Sequence, residues 1–166
     1  MSGMPPAHDP LLAAGPDGVT WGGLVAQITA RARALADGDS VTVSAPTLAR
    51  PAKVPGVFRR LVHSHYQDVA PWVRLERVED HLVGRCVSDH KEIGFPLAPE
   101  EKATLARLGW HEPGDRDGAA LLRWFPDDVP SAAYLPKSDA EAAARLAVGT
   151  LREVFGVTDP AALSLS

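Results

Sequence analysis

The spacing of apolar and polar positions changes along the chain, and each change predicts a new element. From Trp21 to Leu35 apolar residues recur every three or four positions, and Thr20 precedes them as a capping residue. This pattern predicts an amphipathic helix. The segment from Ser40 to Ala45 alternates and is rich in β-branched residues, so it predicts a strand.

A β-hairpin is predicted in the middle of the chain. The segments Trp72 to Val78 and His81 to Ser88 are strand-like and are separated by only two residues. Such a short connection between two strands is typical of an antiparallel hairpin with a tight turn. Gly84 lies inside the second strand, which indicates a bulge or the close approach of another backbone.

Two more helices follow the hairpin. The first runs from Pro99 to Leu108, where proline and the two following glutamates suit a helix start. Gly109 can adopt the left-handed conformation that ends a helix, and Trp110 is placed to make the accompanying apolar contact. The last helix opens at the Ser138 capping box and is terminated by Gly156.

The remaining segments are predicted less directly. Residues 45–56 contain three prolines and are predicted to be a loop, whereas residues 57–69 fit either a helix or an irregular strand. Residues 119–125 are predicted to form a strand, and residues 132–135 are predicted to form another short one.

Together these elements predict one α+β domain, with a mainly antiparallel sheet flanked by helices. Residues 1–19, rich in proline, glycine and aspartate, are predicted to form a flexible N-terminal arm. The domain is expected to span residues 20–160, and residues 161–166 are expected to be a C-terminal tail.

Composition narrows the class of protein. The 166 residues are 45% hydrophobic and 23% charged, as in ordinary globular proteins. The formal net charge of −4 argues against nucleic acid or an anionic membrane as a partner. A single cysteine and the absence of a signal peptide or a long apolar run lead us to expect a cytoplasmic protein without a membrane span.

A set of residues, taken in order, carries a family resemblance: Trp21-Gly22 and Leu24, Val73-Arg74-Leu75, Leu82 to Ser88, Leu97 to Trp110 with Pro113, Trp124-Phe125, and Leu151 to Val157. Their order and spacing resemble the TY-Chap and YbjN-like members of the type III secretion chaperone-like superfamily. The resemblance implies a peptide-binding or chaperone-like role, often as a homodimer, without a cofactor. The stretch from residue 46 to residue 69 is longer and more basic than the family pattern.

The four tryptophans give the best candidates for a binding surface. Trp21 and Trp110 are expected to hold helices against the sheet, whereas the other two have polar or proline neighbours. Aromatic side chains rimmed by arginine are what a peptide-binding surface needs. The predicted partner-binding residues are Trp72, Arg74, Arg123, Trp124 and Phe125.

Candidate catalytic or metal-binding residues are sparse. His63, His65, His81, Cys86 and His90 include zinc-ligand types, but their spacing is not that of a zinc finger. No nucleophile motif or phosphate-binding loop is present. The sequence therefore favours a non-enzymatic protein that binds a polypeptide partner, with no metal and no catalytic residue assigned. A small zinc- or thiol-dependent enzyme and an immunity or regulatory protein are the alternatives.

Overall fold

The structure, a computed structural model, describes residues 18–54, 65–125 and 137–166. Within these ranges the chain forms an α+β domain, in which five strands follow the first helix and one strand follows each of the other two helices. The helices are α1 (Trp21–Ala34), α2 (Pro99–Arg107) and α3 (Lys137–Glu153). The strands are β1 (Ser40–Ser44), β2 (Arg50–Val54), β3 (His65–Val69), β4 (Trp72–Val78), β5 (His81–Cys86), β6 (Leu121–Phe125) and β7 (Ser164–Leu165). The predicted fold class is confirmed.

The main sheet has five strands in the order β6-β5-β4-β1-β7, and every pairing is antiparallel. The predicted hairpin is confirmed as β4 and β5, with Val73 opposite Cys86 and Val78 opposite His81. Glu79 in the connecting turn has a φ of 53°, and its amide donates to Asp37 Oδ1 at 2.6 Å. The turn is therefore held to the segment that precedes β1.

Helices α1 and α3 pack against each other and against one face of this sheet. Thr20 caps α1 as predicted, because its Oγ1 accepts from the Gly23 amide at 2.9 Å. The apolar residues of the two helices join the inward-facing residues of the strands in one buried core. Its sheet members are Val41, Val43, Val73, Leu75, Leu82, Cys86, Leu121 and Phe125.

Trp110 links α2, the sheet and α3. The Trp110 amide donates to the Leu105 carbonyl and the Gly109 amide to the Ala106 carbonyl, which is the Schellman pattern for ending a helix. This turn places the Trp110 indole over Gly84, where an added Cβ would lie 3.2 Å from the ring. The indole Nε1 then donates to Thr150 Oγ1 on α3 at 2.9 Å. Gly84 is thus needed for the close approach of a ring and not for a bulge.

The predicted loop at residues 45–56 is wrong over its second half, because residues 50–54 form β2. This strand pairs with β3 in a separate two-stranded ribbon, with Arg50 opposite Val69 and Lys53 opposite Tyr66. Prolines at residues 46 and 51 suggested a loop, but Pro51 lies in a strand with an unpaired side where a missing amide costs nothing. For residues 65–69 the strand alternative holds; residues 55–64 and 132–135 lie outside the described residues.

Arg50 fixes this ribbon to the rest of the domain. Its guanidinium donates to both carboxylate oxygens of Glu101, at 2.6 and 2.8 Å, and to the Pro96 carbonyl at 2.9 Å. The same guanidinium lies 5.1 Å from the Phe95 ring centre and 5.9 Å from that of Phe155. A bidentate ion pair stacked on two aromatic rings holds β2 in one orientation.

The last residues of the chain belong to the sheet. Residues 161–166 were expected to form a tail, but Ser164–Leu165 forms β7 at the edge beside β1. The Ser166 amide donates to the Thr42 carbonyl at 3.0 Å, and the Thr42 amide donates back to Ser166 at 2.8 Å. The segment is too short and too polar for periodicity to identify it as a strand.

We expect Gly84→Ala to lower the free energy of unfolding by about 1–3 kcal/mol, because the new methyl group would press on the Trp110 ring. The matched control is Gly149→Ala within α3, where the nearest atom to a new Cβ is 3.8 Å away. This control should stabilise the protein by about 0.5–1 kcal/mol, since alanine favours a helix interior over glycine. Urea unfolding followed by circular dichroism measures both, and equal effects would contradict the assigned packing.

The Arg50–Glu101 ion pair should make the stability of the protein depend on pH. The hydrogen bonds from Arg50 lower the pKa of Glu101 below its ordinary 4.5, and a hydrogen bond from the Ala98 amide adds to this while burial opposes it. The contribution of the Arg50–Glu101 ion pair to stability is therefore complete above about pH 4.5. It is lost as the pH falls through the lower pKa of Glu101 in the folded protein. We expect Glu101→Gln to flatten the acid limb of a melting-temperature profile, and Glu100→Gln to retain it.

Candidate functional site

The sheet has a second face, opposite α1 and α3. The strand registers and the alternation of side chains assign its members from four neighbouring strands. We call it the second face; it comprises Ser40, Thr42, Ser44, Trp72, Arg74, Glu76, Val83, Arg85, Leu122 and Trp124. Its β1 and β4 side chains are half-buried or exposed, whereas Val83 and Leu122 are buried.

Trp72 and Arg74 form the accessible part of the second face. Arg74 is exposed and Trp72 is half-buried, and the guanidinium lies 5.6 Å from the centre of the indole ring. Arg74 Nε also donates to Thr42 Oγ1 on the neighbouring strand at 3.2 Å. Among the described residues Arg74 forms no ion pair with a carboxylate. Its charge and remaining donors are therefore available to a ligand.

Arg85, one strand away, is already engaged. Its Nε lies 2.8 Å from Glu76 Oε2, and its Nη1 donates to the Asp117 carbonyl at 3.0 Å. The two second-face arginines therefore differ: Arg85 is neutralised by a carboxylate on the adjacent strand, and Arg74 is held only by a hydroxyl and a ring. This difference makes Arg74 the stronger candidate for contact with a partner.

Trp124 lies elsewhere on the same face. It is opposite Val83, which is opposite Glu76, so it is separated from Trp72 by about 10 Å across the strands and about 13 Å along them. The Trp124 ring meets His81 edge-to-face, with ring centres 6.2 Å apart. The two tryptophans therefore flank a polar strip that contains the Glu76–Arg85 ion pair, and they do not touch each other.

Arg123 and Phe125 point to the opposite side of the sheet from Trp124. Neighbouring residues of a strand alternate between faces, so the three consecutive residues cannot form one surface. Phe125 is buried in the core at 8% exposure, and Arg123 Nη1 donates to the Gly109 carbonyl at 3.2 Å. Of the five predicted partner-binding residues, the structure places Trp72, Arg74 and Trp124 on the second face.

Sequence reasoning did not single out Tyr66. It lies on β3 opposite Lys53 and is 69% exposed, unusual for a large aromatic side chain. Residues 65–69 show no regular alternation of apolar and polar side chains, so no local signal identified Tyr66 as part of a second ribbon.

The histidines and the cysteine do not form a metal or thiol site in the part of the chain that the structure describes. Within it no group of three or more histidine, cysteine, aspartate or glutamate residues could hold a metal ion. His81 packs on Trp124, and His90 Nδ1 accepts from the Glu92 amide at 3.4 Å. His63 lies outside the described residues. Cys86 is completely buried in the core, and this burial raises the pKa of its thiol.

Comparison with known proteins agrees with this geometry. A family model described as T3SS (YopN, CesT) and YbjN peptide-binding chaperone 3, or TY-Chap3, matches residues 17–166. The chain belongs to the TY-Chap3 family. The predicted resemblance is thereby confirmed, and the family description supports a chaperone-like, peptide-binding role. Comparison with curated proteins and with solved structures gives no match. In the described ranges of this TY-Chap3 protein, no helix has the length and apolar character of a membrane span.

The position of Cys86 predicts that its thiol is inert in the folded protein, because a buried thiol with a raised pKa forms little thiolate. We expect no reaction with a disulfide reagent such as DTNB at neutral pH until denaturant is added, when one thiol per chain should react. A rapid stoichiometric reaction with the native protein would contradict the buried position and revive a thiol enzyme as an alternative.

Proposed function

We propose that this TY-Chap3 protein is a non-enzymatic, chaperone-like protein that binds a segment of a polypeptide partner on the second face of its sheet. The observation that carries the proposal is the pairing of half-buried Trp72 with exposed Arg74, which no carboxylate among the described residues neutralises. The family description supports peptide as the ligand class.

The two side chains supply different parts of the binding free energy. An indole edge offers apolar area with few torsions to immobilise, and tryptophan and arginine are the residues most often dominant in protein interfaces. The Arg74 guanidinium presents planar donors to a carbonyl or a carboxylate. Its stacking on Trp72 reduces the freedom that it loses on binding. The expected ligand therefore has an apolar side chain close to an aspartate or glutamate.

Trp124 extends the surface toward β6. It lies beyond the Glu76–Arg85 ion pair, so a segment contacting both tryptophans would cross a neutral, polar strip about 16 Å long. A segment of five or six extended residues has that length. In this proposal Trp72 and Arg74 provide the main contact and Trp124 a second one.

The proposal assigns no cofactor and no nucleic acid partner. The formal net charge of −4 supports the absence of a nucleic acid partner, because nucleic-acid-binding proteins usually carry a basic surface. We further propose a cytoplasmic location and a homodimer formed through α2. The outward side of this helix exposes Ala103 and Ala106, two small residues that permit close approach of a second helix. An immunity or regulatory protein would differ only in what binding does to the partner.

We expect Trp72→Ala and Arg74→Ala each to weaken binding of the polypeptide that co-purifies with the tagged protein at least about tenfold, or about 1.4 kcal/mol. Arg33→Ala, which removes an exposed arginine from α1, is the matched control and should leave binding unchanged. Surface plasmon resonance with the purified partner measures the dissociation constants, and thermal melts exclude unfolding. Equal affinities for all four proteins would contradict the proposed surface.

A further inference from the structure

The β2–β3 ribbon has one edge that nothing covers in the described part of the chain. β3 pairs with β2 on one side, and neither a strand nor a backbone hydrogen bond from another described segment meets its other side. We call this side the ribbon edge; it is the outer side of residues 65–69. A strand edge with unpaired backbone groups is a template for another extended segment.

The position of Pro51 shows which backbone groups point outward. In an antiparallel pair, residues alternate between those bonded to the partner strand and those pointing away from it. Pro51 has no amide hydrogen, so its pair with Asp68 cannot be one of the doubly bonded pairs. The bonded pairs are therefore Arg50 with Val69 and Ala52 with Gln67. The amides and carbonyls of Tyr66 and Asp68 consequently face the ribbon edge.

The opposite edge of the ribbon, the outer side of β2, is partly covered. By the same alternation the Lys53 backbone points away from β3, and there it meets Gly94. An added Cβ on Gly94 would lie 3.1 Å from the Lys53 carbonyl carbon and 3.2 Å from its nitrogen, so the two backbones are in contact. The ion pair between Arg50 and Glu101 fixes the other end of β2. An incoming segment thus meets a fixed ribbon whose β2 side is partly covered and whose β3 side is met by no other described segment.

Two exposed side chains determine which residues would fit along this edge. Tyr66 and Asp68 lie on the same face of β3, and both are exposed. Directly opposite residues of an antiparallel pair interact, and a tyrosine favours an aromatic or β-branched residue. An aspartate favours a lysine or arginine directly opposite it. Within the ribbon, the residue directly opposite Asp68 is Pro51.

We infer that the ribbon edge binds an extended segment of the polypeptide partner as an additional antiparallel strand. The segment carries an aromatic or β-branched residue opposite Tyr66 and, two residues earlier, a lysine or arginine opposite Asp68. This inference rests on the proposed function and names a second contact with the same partner. β3 continues through Ala70 and Pro71 into Trp72, so the ribbon edge is contiguous with the second face in the chain.

A second copy of this chain fits the edge less well. A two-fold pairing centred on Gln67 places Tyr66 against Asp68 of the copy, and one centred on Asp68 places two aspartates together. Neither arrangement provides a cation opposite Asp68, whereas a partner segment can.

The test uses capped synthetic peptides and the full-length protein. The probe is Gly-Thr-Lys-Thr-Val-Thr-Gly, in which lysine precedes valine by two residues; one control replaces lysine by glutamate, and another reverses the peptide. We expect NMR titration to shift the Tyr66 and Asp68 amides and to give about threefold weaker binding of both controls. Asp68→Lys should reverse the preference between the lysine and glutamate peptides.

The backbone contribution is tested separately by Asp68→Pro against Asp68→Asn. Proline removes an outward amide and should weaken the probe peptide about tenfold, whereas asparagine should weaken it only about threefold. If Asp68→Pro fails to fold, the charge reversal in Asp68→Lys still decides. Unchanged peptide preference in Asp68→Lys would overturn the inference. So would a dimer in sedimentation that Asp68→Pro dissociates, since a second copy would then occupy the edge.

These outcomes are distinguishable from failure of the proposed function. If partner binding still depends on Trp72 and Arg74 while the peptide preference does not respond to Asp68→Lys, only the ribbon-edge inference falls. If neither surface affects the partner, the proposed function falls as well.

Discussion

The buried contact of Trp110 with Gly84 and Thr150 is the constraint on which the domain depends. It joins the end of α2, the central strand pair and α3 through one indole ring, which is only 4% exposed. Thr150 Oγ1 in turn donates to the Leu146 carbonyl at 2.8 Å, so its hydroxyl bonds on both sides. A buried polar pair with both partners satisfied favours one arrangement of the surrounding apolar core.

This packing determines where a ligand can bind. Because α1 and α3 occupy one face of the sheet, the β1–β4 part of the second face retains partly exposed side chains. There the Trp72–Arg74 pair offers both apolar area and a charge that no described carboxylate neutralises. The β2–β3 ribbon is separate from the five-stranded sheet. It is fixed at Arg50 and Gly94, and the chain runs from it directly into β4. The two proposed partner surfaces therefore differ in chemistry and lie on one continuous stretch of chain.

Sequence patterns predicted the fold well where periodicity and end signals agreed. Thr20 for α1, Gly109 for α2 and the hairpin at residues 72–88 were all identified from local patterns. The patterns did not predict β2. Its prolines indicated a loop, and its pairing with β3 cannot be recognised from neighbouring residues alone. The patterns also did not show that Arg123 and Phe125 lie on the opposite face of the sheet from Trp124. Strand alternation separates such neighbours, and only the register shows which one joins the second face.

In the proposed function, the second face contacts a polypeptide at Trp72. Hydroxyl-radical footprinting of the protein with and without its purified partner tests this most directly, because it reports side-chain exposure residue by residue. We expect oxidation of Trp72 to fall several-fold in the complex, while that of buried Trp21 stays low in both states. Unchanged oxidation of Trp72 in a saturated complex would contradict it.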